Sequence, residues 1–307
     1  MICVIGPTAS GKTSLAVEVA KIFNGEIISA DSRQVYRGMD IGTGKDLSEY
    51  DNIKYHLIDI AVAGEKYDVF RYQQDFDKAY SDTVQRGKMP VLCGGSGLYI
   101  EAAIGKTTHC FVPEDPILRE MLASMTDEQL GAMLAKEVPL HNHTDTEIRE
   151  RCIRAIEIAL FKKKHCVAER TPPPNIIFTL DFDAEILRMR IDRRLMQRIN
   201  SGMIEEVRSL LSSGIKSELL RYYGLEYRYI TEYLLKGETQ QNKDEMIRLL
   251  RFAINQFAKR QRTWLRGMER RGYTIHHIDG MLPLKEQVLK VVVIANANAN
   301  ACSITNA

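Results

Sequence analysis

The chain has 307 residues, 45% hydrophobic and 27% charged, with a formal net charge of +2. A chain of this size and composition buries a substantial core without cross-links, as one large domain or two modest ones. The small net charge excludes bulk basicity as an argument for nucleic acid, so any such surface has to come from local clustering.

Residues 2–5 (Ile-Cys-Val-Ile) form a short apolar run without polar alternation, the pattern of a buried parallel strand. A Gly-rich turn follows, and Leu15, Val19 and Ile22 then give residues 13–23 helical spacing up to Asn24-Gly25. Ile27-Ile28 predicts a second strand ending at Ala30-Asp31, residues 55–60 a third and residues 90–93 a fourth. Residues 67–85 read as a helix stopped by Gly87. Strand, helix and strand in this order argue an open α/β sheet with parallel strands. Between residues 112 and 170 the pattern is helical throughout, punctuated by Pro113, Pro116 and Pro139 and closed by Thr171-Pro172-Pro173-Pro174; it predicts a helical insertion. Residues 176–180 read as another strand, and 184–211 and 243–266 as long helices. In the last of these, Met246, Leu250, Ala253, Phe257 and Trp264 fall near one face. Arg248, Arg251, Asn255, Lys259, Arg262 and Arg266 fall near another, so one stripe is core and the other cationic or simply solvated. The expected organisation is a core of residues 1–111 and 171–294, a helical insertion at 112–170, and a disordered Ala-Asn tail at 295–307. The six cysteines (Cys3, Cys93, Cys110, Cys152, Cys166 and Cys302) contain no C-x-x-C pair, which gives zinc no support and fits reduced thiols in the cytoplasm. With a strand starting at Ile2, no leader peptide is expected, and no apolar run reaches the roughly 18 residues of a membrane span.

Gly6-Pro7-Thr8-Ala9-Ser10-Gly11-Lys12-Thr13 matches G-x-x-x-x-G-K-[ST], between a strand and a helix as that motif requires. Its backbone N–H groups and the helix N-terminus suit phosphate oxygens. Lys12 would neutralise the terminal phosphate, and the Thr13 hydroxyl would coordinate Mg²⁺. The loop specifies a polyphosphate, not ATP hydrolysis. Asp31 ends the second strand, at the sheet edge where open α/β proteins bind ligands, and can serve as general base or as a turn aspartate. Gly94-Gly95-Ser96-Gly97 follows the fourth strand, and Ser96 could donate to a phosphate oxygen. Arg221 offers a guanidinium suited to phosphate, or a plain surface charge.

Taken together, these segments resemble the tRNA dimethylallyltransferases, the IPP transferase family. The resemblance rests on GPTASGKT (6–13), ADSRQVYRGMDIGTGK (30–45), YHLID (55–59), VLCGGSGLYI (91–100), RERCIRAIEI (149–158), RIDRRL (190–195), GMIEEVRSL (202–210) and AKRQRTWLR (258–266), in family order. It implies a P-loop NTPase-like α/β core, a parallel sheet flanked by helices, with a helical insertion domain. The implied reaction moves a dimethylallyl group from dimethylallyl diphosphate to N6 of adenosine 37 in tRNA, with Mg²⁺. On that analogy Gly6, Pro7, Thr8, Ala9, Ser10, Gly11, Lys12 and Thr13 hold the diphosphate, Arg221 and Ser96 assist, and Asp31 is the base. Asp31, Ser32, Arg33 and Gln34 match a segment that contacts tRNA, as do Glu150, Arg151, Cys152, Ile153 and Arg154. Lys259, Arg260, Gln261, Arg262, Thr263, Trp264, Leu265 and Arg266 match a third. The expected partners are the tRNA anticodon stem-loop and the prenyl diphosphate, with no membrane, and the expected state is a monomer.

Two departures stand out. Many members have threonine where this chain has Ser96, which keeps the hydroxyl. Many read Gly-Tyr-Arg-Gln where this chain reads Gly224-Leu225-Glu226-Tyr227, so a carboxylate replaces a guanidinium near a polyanion site. The rival readings are an isopentenyltransferase acting on free adenylate, a small-molecule P-loop kinase, and an RNA-binding protein with a relict phosphate loop.

Overall fold

The computed structural model describes residues 1–137, 149–165 and 168–304, with side chains through residue 298; Pro139 and Cys166 lie outside these. The chain divides into two compact units, Met1–Gly105 with Pro172–Ala307, and Lys106–Thr171.

The larger unit is built on one parallel sheet of six strands in the order β3-β2-β4-β1-β5-β6. These are β1 (Ile2–Ile5), β2 (Gly25–Ala30), β3 (Tyr55–His56), β4 (Met89–Gly94), β5 (Ile176–Asp181) and β6 (Ile275–Asp279). β1 and β2 are buried along their whole length, which explains apolar runs without alternation. Helices α1 (Lys12–Ile22), α2 (Val69–Gln85) and α3 (Gly97–Ile104) follow β1, β3 and β4. Asp68 caps α2 by accepting the Arg71 N–H at 2.9 Å. β3 is shorter than the apolar pattern suggests, because Leu57 and Asp59 turn into the left-handed region and stop the ladder. Glu26 is buried on β2; against the push of burial, Arg86 and His56 hydrogen bonds hold its carboxyl at about 2.

The smaller unit contains α4 (Pro116–Ala123), α5 (Asp127–Glu137) and α6 (Arg149–His165), with no strand among its described residues. Leu122, Leu130, Leu134, Cys152 and Ile156 form its core. Glu157 organises it: the carboxylate accepts Arg119 at 2.7 and 2.8 Å, Arg154 at 2.9 Å and the Asp115 N–H at 3.0 Å.

Back in the larger unit, residues 184–211 form two helices rather than one, α7 (Ala184–Asn200) and α8 (Met203–Ser212). Gly202 between them sits at φ +97°, a conformation open to glycine, and breaks the helix. Then come α9 (Ser217–Tyr222), α10 (Leu225–Lys236) and the long α11 (Gln240–Arg270), whose first turn Thr239 caps. The buried face of α11 includes Met246, Leu250, Ile254, Ala258, Gln261, Leu265 and Met268. The stripe expected through Ala253 and Phe257 is thus off by one position there, and Phe257 is exposed. Helix α12 (Leu284–Ile304) runs through most of the stretch expected to be disordered. Val288 and Val291 are buried at its start, and alanine-rich sequence propagates a helix once nucleated. No helix among the described residues is long and apolar enough to cross a membrane.

Candidate active site

The turn from β1 into α1 starts beside the end of β4. The Gly6 N–H donates to the Gly94 carbonyl at 3.2 Å, and Ala9 and Gly11 adopt left-handed backbone. Lys12 folds back over the turn, its Nζ 3.4 Å from the Pro7 carbonyl. Burial lowers its pKa, with Arg194 and Arg198 adding to the fall and Cys93 and Asp31 opposing it. The Ser10 hydroxyl is buried with no hydrogen-bond partner, an orphan that an anion in the loop would satisfy.

Gln261 ties this turn to the loop after β4. Its Oε1 accepts the Thr8 N–H at 2.9 Å and its Nε2 donates to the Gly95 carbonyl at 2.8 Å. Ser96, in that second loop, accepts the Ser32 N–H at 2.9 Å and pins the turn that carries Asp31. Its O–H donates to the Ser32 hydroxyl at 3.3 Å. Asp31 accepts the Arg33 N–H at 2.9 Å, and Arg33 lies over the Tyr222 ring at 5.5 Å. Gln34 is buried, bridging the Ser29 hydroxyl and the Gly44 carbonyl.

The loop after β2 is held from below. Glu206 accepts the N–H groups of Asp40, Ile41 and Gly42 at 2.8, 2.7 and 3.0 Å, and the Tyr227 hydroxyl at 2.6 Å. Buried Lys45 donates to the Tyr36 carbonyl at 2.7 Å, to Asp40 at 2.6 Å and to Asp59. Neither Glu206 nor Lys45 was singled out from sequence, since their partners lie elsewhere in the chain.

A cleft beside the phosphate loop is lined by Thr8, Ala9, Ile191, Arg194, Leu195, Arg198, Glu226 and Ile254. Arg190 reaches the same loop, donating to the Ala9 carbonyl at 2.8 Å, and Arg194 pairs with Asp46 at 2.8 Å. Arg221 does not line this cleft. It is 39% exposed and lies 4.0 Å from both Glu218 and Glu232. The guanidiniums beside the loop therefore come from α7, not from Arg221; their helical spacing of four in 190, 194 and 198 was the available signal.

Thr13 stands in the first turn of α1, where a hydroxyl can share an ion with ligand phosphates. No group of three His, Cys, Asp or Glu side chains among the described residues could hold a metal by itself, and an ion held by a hydroxyl and phosphates needs none. Mg²⁺ therefore fits this donor set.

Of the stretches matched to RNA contact, only part faces outward. Lys259, Arg260, Thr263 and Arg266 are exposed and Arg262 and Trp264 partly so, while Gln261 and Leu265 are buried. Glu150 and Arg151 are exposed, Cys152 is buried, Ile153 is half-buried, and Arg154 is bound to Glu157. A helix turns about 100° per residue, so no run of five or more can present every side chain to one partner.

Comparison with known proteins places this geometry. A family model described as IPP transferase matches residues 34–268, and one described as isopentenyl transferase matches residues 1–58. The chain is 49% identical to tRNA dimethylallyltransferase 1 of Parabacteroides distasonis, covering 96% of this chain and 97% of the relative. It is 51% identical to tRNA dimethylallyltransferase 2 of Bacteroides fragilis, covering 94% and 95%. The crystal structure of the full-length tRNA isopentenylpyrophosphate transferase of Bacillus halodurans superposes with a TM-score of 0.74 at 29% identity, covering 100% of this chain and 99% of that one. The chain belongs to the IPP transferase family.

Proposed function

We propose that this protein transfers the dimethylallyl group of dimethylallyl diphosphate to N6 of adenosine 37 in tRNA, releasing diphosphate. The observation that carries the reading is the pairing of a formed phosphate loop after β1 with Asp31 just past the end of β2, on the same sheet edge one strand beyond β4, close enough for its charge to act on Lys12. The adenine amine attacks C1 of the allyl group as the C1–O bond breaks, and negative charge builds on the departing diphosphate. Loop N–H groups, Lys12 and Arg194 oppose that charge from fixed positions, which favours the transition state over the ground state. Asp31 takes the proton from nitrogen once the new C–N bond makes it cationic. Bound Mg²⁺, held by Thr13 and phosphate oxygens, would neutralise the leaving group further. The target base has to leave the anticodon-loop stack to reach Asp31. Ser96 serves by holding the Asp31 turn, and the exposed cations Lys259, Arg260, Arg262 and Arg266 serve by meeting RNA phosphates. Among the described residues these four form no ion pair, as befits side chains kept for an outside anion.

The test supplies labelled dimethylallyl diphosphate and Mg²⁺ with either unmodified tRNA or AMP. Label enters tRNA and not AMP, and Asp31→Ala abolishes it. Label in AMP alone makes the protein a free-adenylate enzyme, and no label from folded protein in either acceptor rejects prenyl transfer.

A further inference from the structure

The cleft beside the phosphate loop contains a charge pair that the steps above do not use. Arg198 lies on α7 one turn past Arg194, on the face that carries Arg190 and Arg194 to the loop. Those two guanidiniums already have partners in the Ala9 carbonyl and Asp46. Arg198 does not have a full set. Its side chain is 13% exposed, its Nε is buried without a hydrogen-bond partner, and its nearest carboxylate oxygen, on Glu226, is 3.9 Å away. That distance permits attraction but is too long for a hydrogen bond. Burial, reinforced by Arg194, pulls the Arg198 pKa down to about 10, and burial pushes the Glu226 carboxyl up. The backbone passes close to this cation at Gly44, whose φ of +64° suits glycine; a Cβ there would fall on the Arg198 guanidinium and push it aside. A buried cation so loosely paired is unfavourable in isolation, and an anion in the cleft would relieve it.

We propose that Arg198 is a ligand of the leaving diphosphate, held in readiness by Glu226. The inference rests on the diphosphate reading of the phosphate loop. When the ligand enters, the free Nε–H and an Nη–H of Arg198 turn onto phosphate oxygens, the two-pronged contact a guanidinium makes best. Glu226 is then a positioning residue that keeps the guanidinium over the cleft while it is empty. The Glu226 carboxylate is thus answered by the Arg198 guanidinium, and the cleft keeps its cation.

Calorimetric titration with inorganic diphosphate and Mg²⁺ tests this on wild type, Arg198→Met and Glu226→Gln, with prenyl-transfer kinetics beside it. Arg198→Met weakens diphosphate binding about tenfold or more, the loss expected for charge-assisted hydrogen bonds. It raises KM for dimethylallyl diphosphate and leaves KM for tRNA unchanged. Folded Arg198→Met protein that binds diphosphate as wild type does overturns the assignment. Should Arg198→Met not fold, Glu226→Gln decides: freeing Arg198 tightens diphosphate several-fold, and unchanged or weaker binding overturns it. Folded wild type that binds no diphosphate removes the phosphate-loop reading itself, and this inference with it.

Discussion

Replacing Gln261 with leucine deletes an acceptor for the Thr8 N–H and a donor to the Gly95 carbonyl at one buried position. Leucine can replace neither bond, so the stability loss should be about 1–3 kcal/mol, read as a drop in the denaturant midpoint at constant m. Because Thr8 lines the cleft, KM for dimethylallyl diphosphate should rise as well; a variant of unchanged KM would make Gln261 a purely structural clamp. Gln261 was legible only in part. Its family segment reads as basic, which suggests a surface, yet it stands three residues after Ala258 and four before Leu265, the steps of the buried face. His277 gives a pH effect at the same scale. Burial opposes its charge, but hydrogen bonds at 2.8 Å to Asp181 and Glu269 outweigh burial and raise its pKa above 6.5. A raised folded-state pKa means stability present below pH 6.5 and lost as pH rises through the shifted value. His277→Gln should flatten that segment of the stability profile, measured by chemical denaturation across neutral pH.

Among the elements, the loop between β2 and β3 owes its shape to a residue far along the chain. Glu206 on α8 collects the N–H groups of Asp40, Ile41 and Gly42 across separations of 166, 165 and 164 positions. Glu206→Gln keeps the shape but not the charge, turning one acceptor into a donor that faces N–H groups. The expected cost is about 2–3 kcal/mol, since hydrogen bonds to a charged group are lost. Faster amide exchange should appear at residues 40–42 first, and exchange unchanged there would show that Lys45 and its carboxylates suffice. This contrast explains what the sequence revealed at this scale. β1, α1, β2, β4 and β5 announce themselves through local apolar runs, a phosphate-loop pattern and glycine stops, all short-range signals. The Glu206 contacts depend on distant partners, and no periodicity encodes those; the α7 guanidiniums do repeat every four residues, but only the fold shows which loop they reach. The Ala-Asn stretch is different: its low complexity reads as a disordered tail, whereas helix extends through Ile304, since alanine favours helix and the preceding valines anchor the helix start.

For the whole molecule, a net charge of +2 spreads to almost nothing, so any RNA affinity has to reside in arrangement. On α11 no carboxylate occurs between Glu245 and Glu269, while Arg248, Arg251, Lys259, Arg260, Arg262 and Arg266 do. Arg251 is taken up by Asp192 at 3.3 Å, which leaves the C-terminal half of the helix as the uncompensated part. If Arg260 and Arg266 each meet an RNA phosphate, each displaces a condensed counterion when it binds. The double charge reversal Arg260→Glu and Arg266→Glu should then weaken tRNA binding at least tenfold at low salt. It should also make the slope of log K against log salt shallower by roughly one to two, at about 0.7–0.9 per phosphate contact. The same variant should bind inorganic diphosphate as wild type does, because neither residue lines the cleft. A solvated face would show a small uniform change with the slope intact. The slope, more than the affinity, therefore tells a phosphate contact from a change in the general field, because only a direct contact alters the number of ions released.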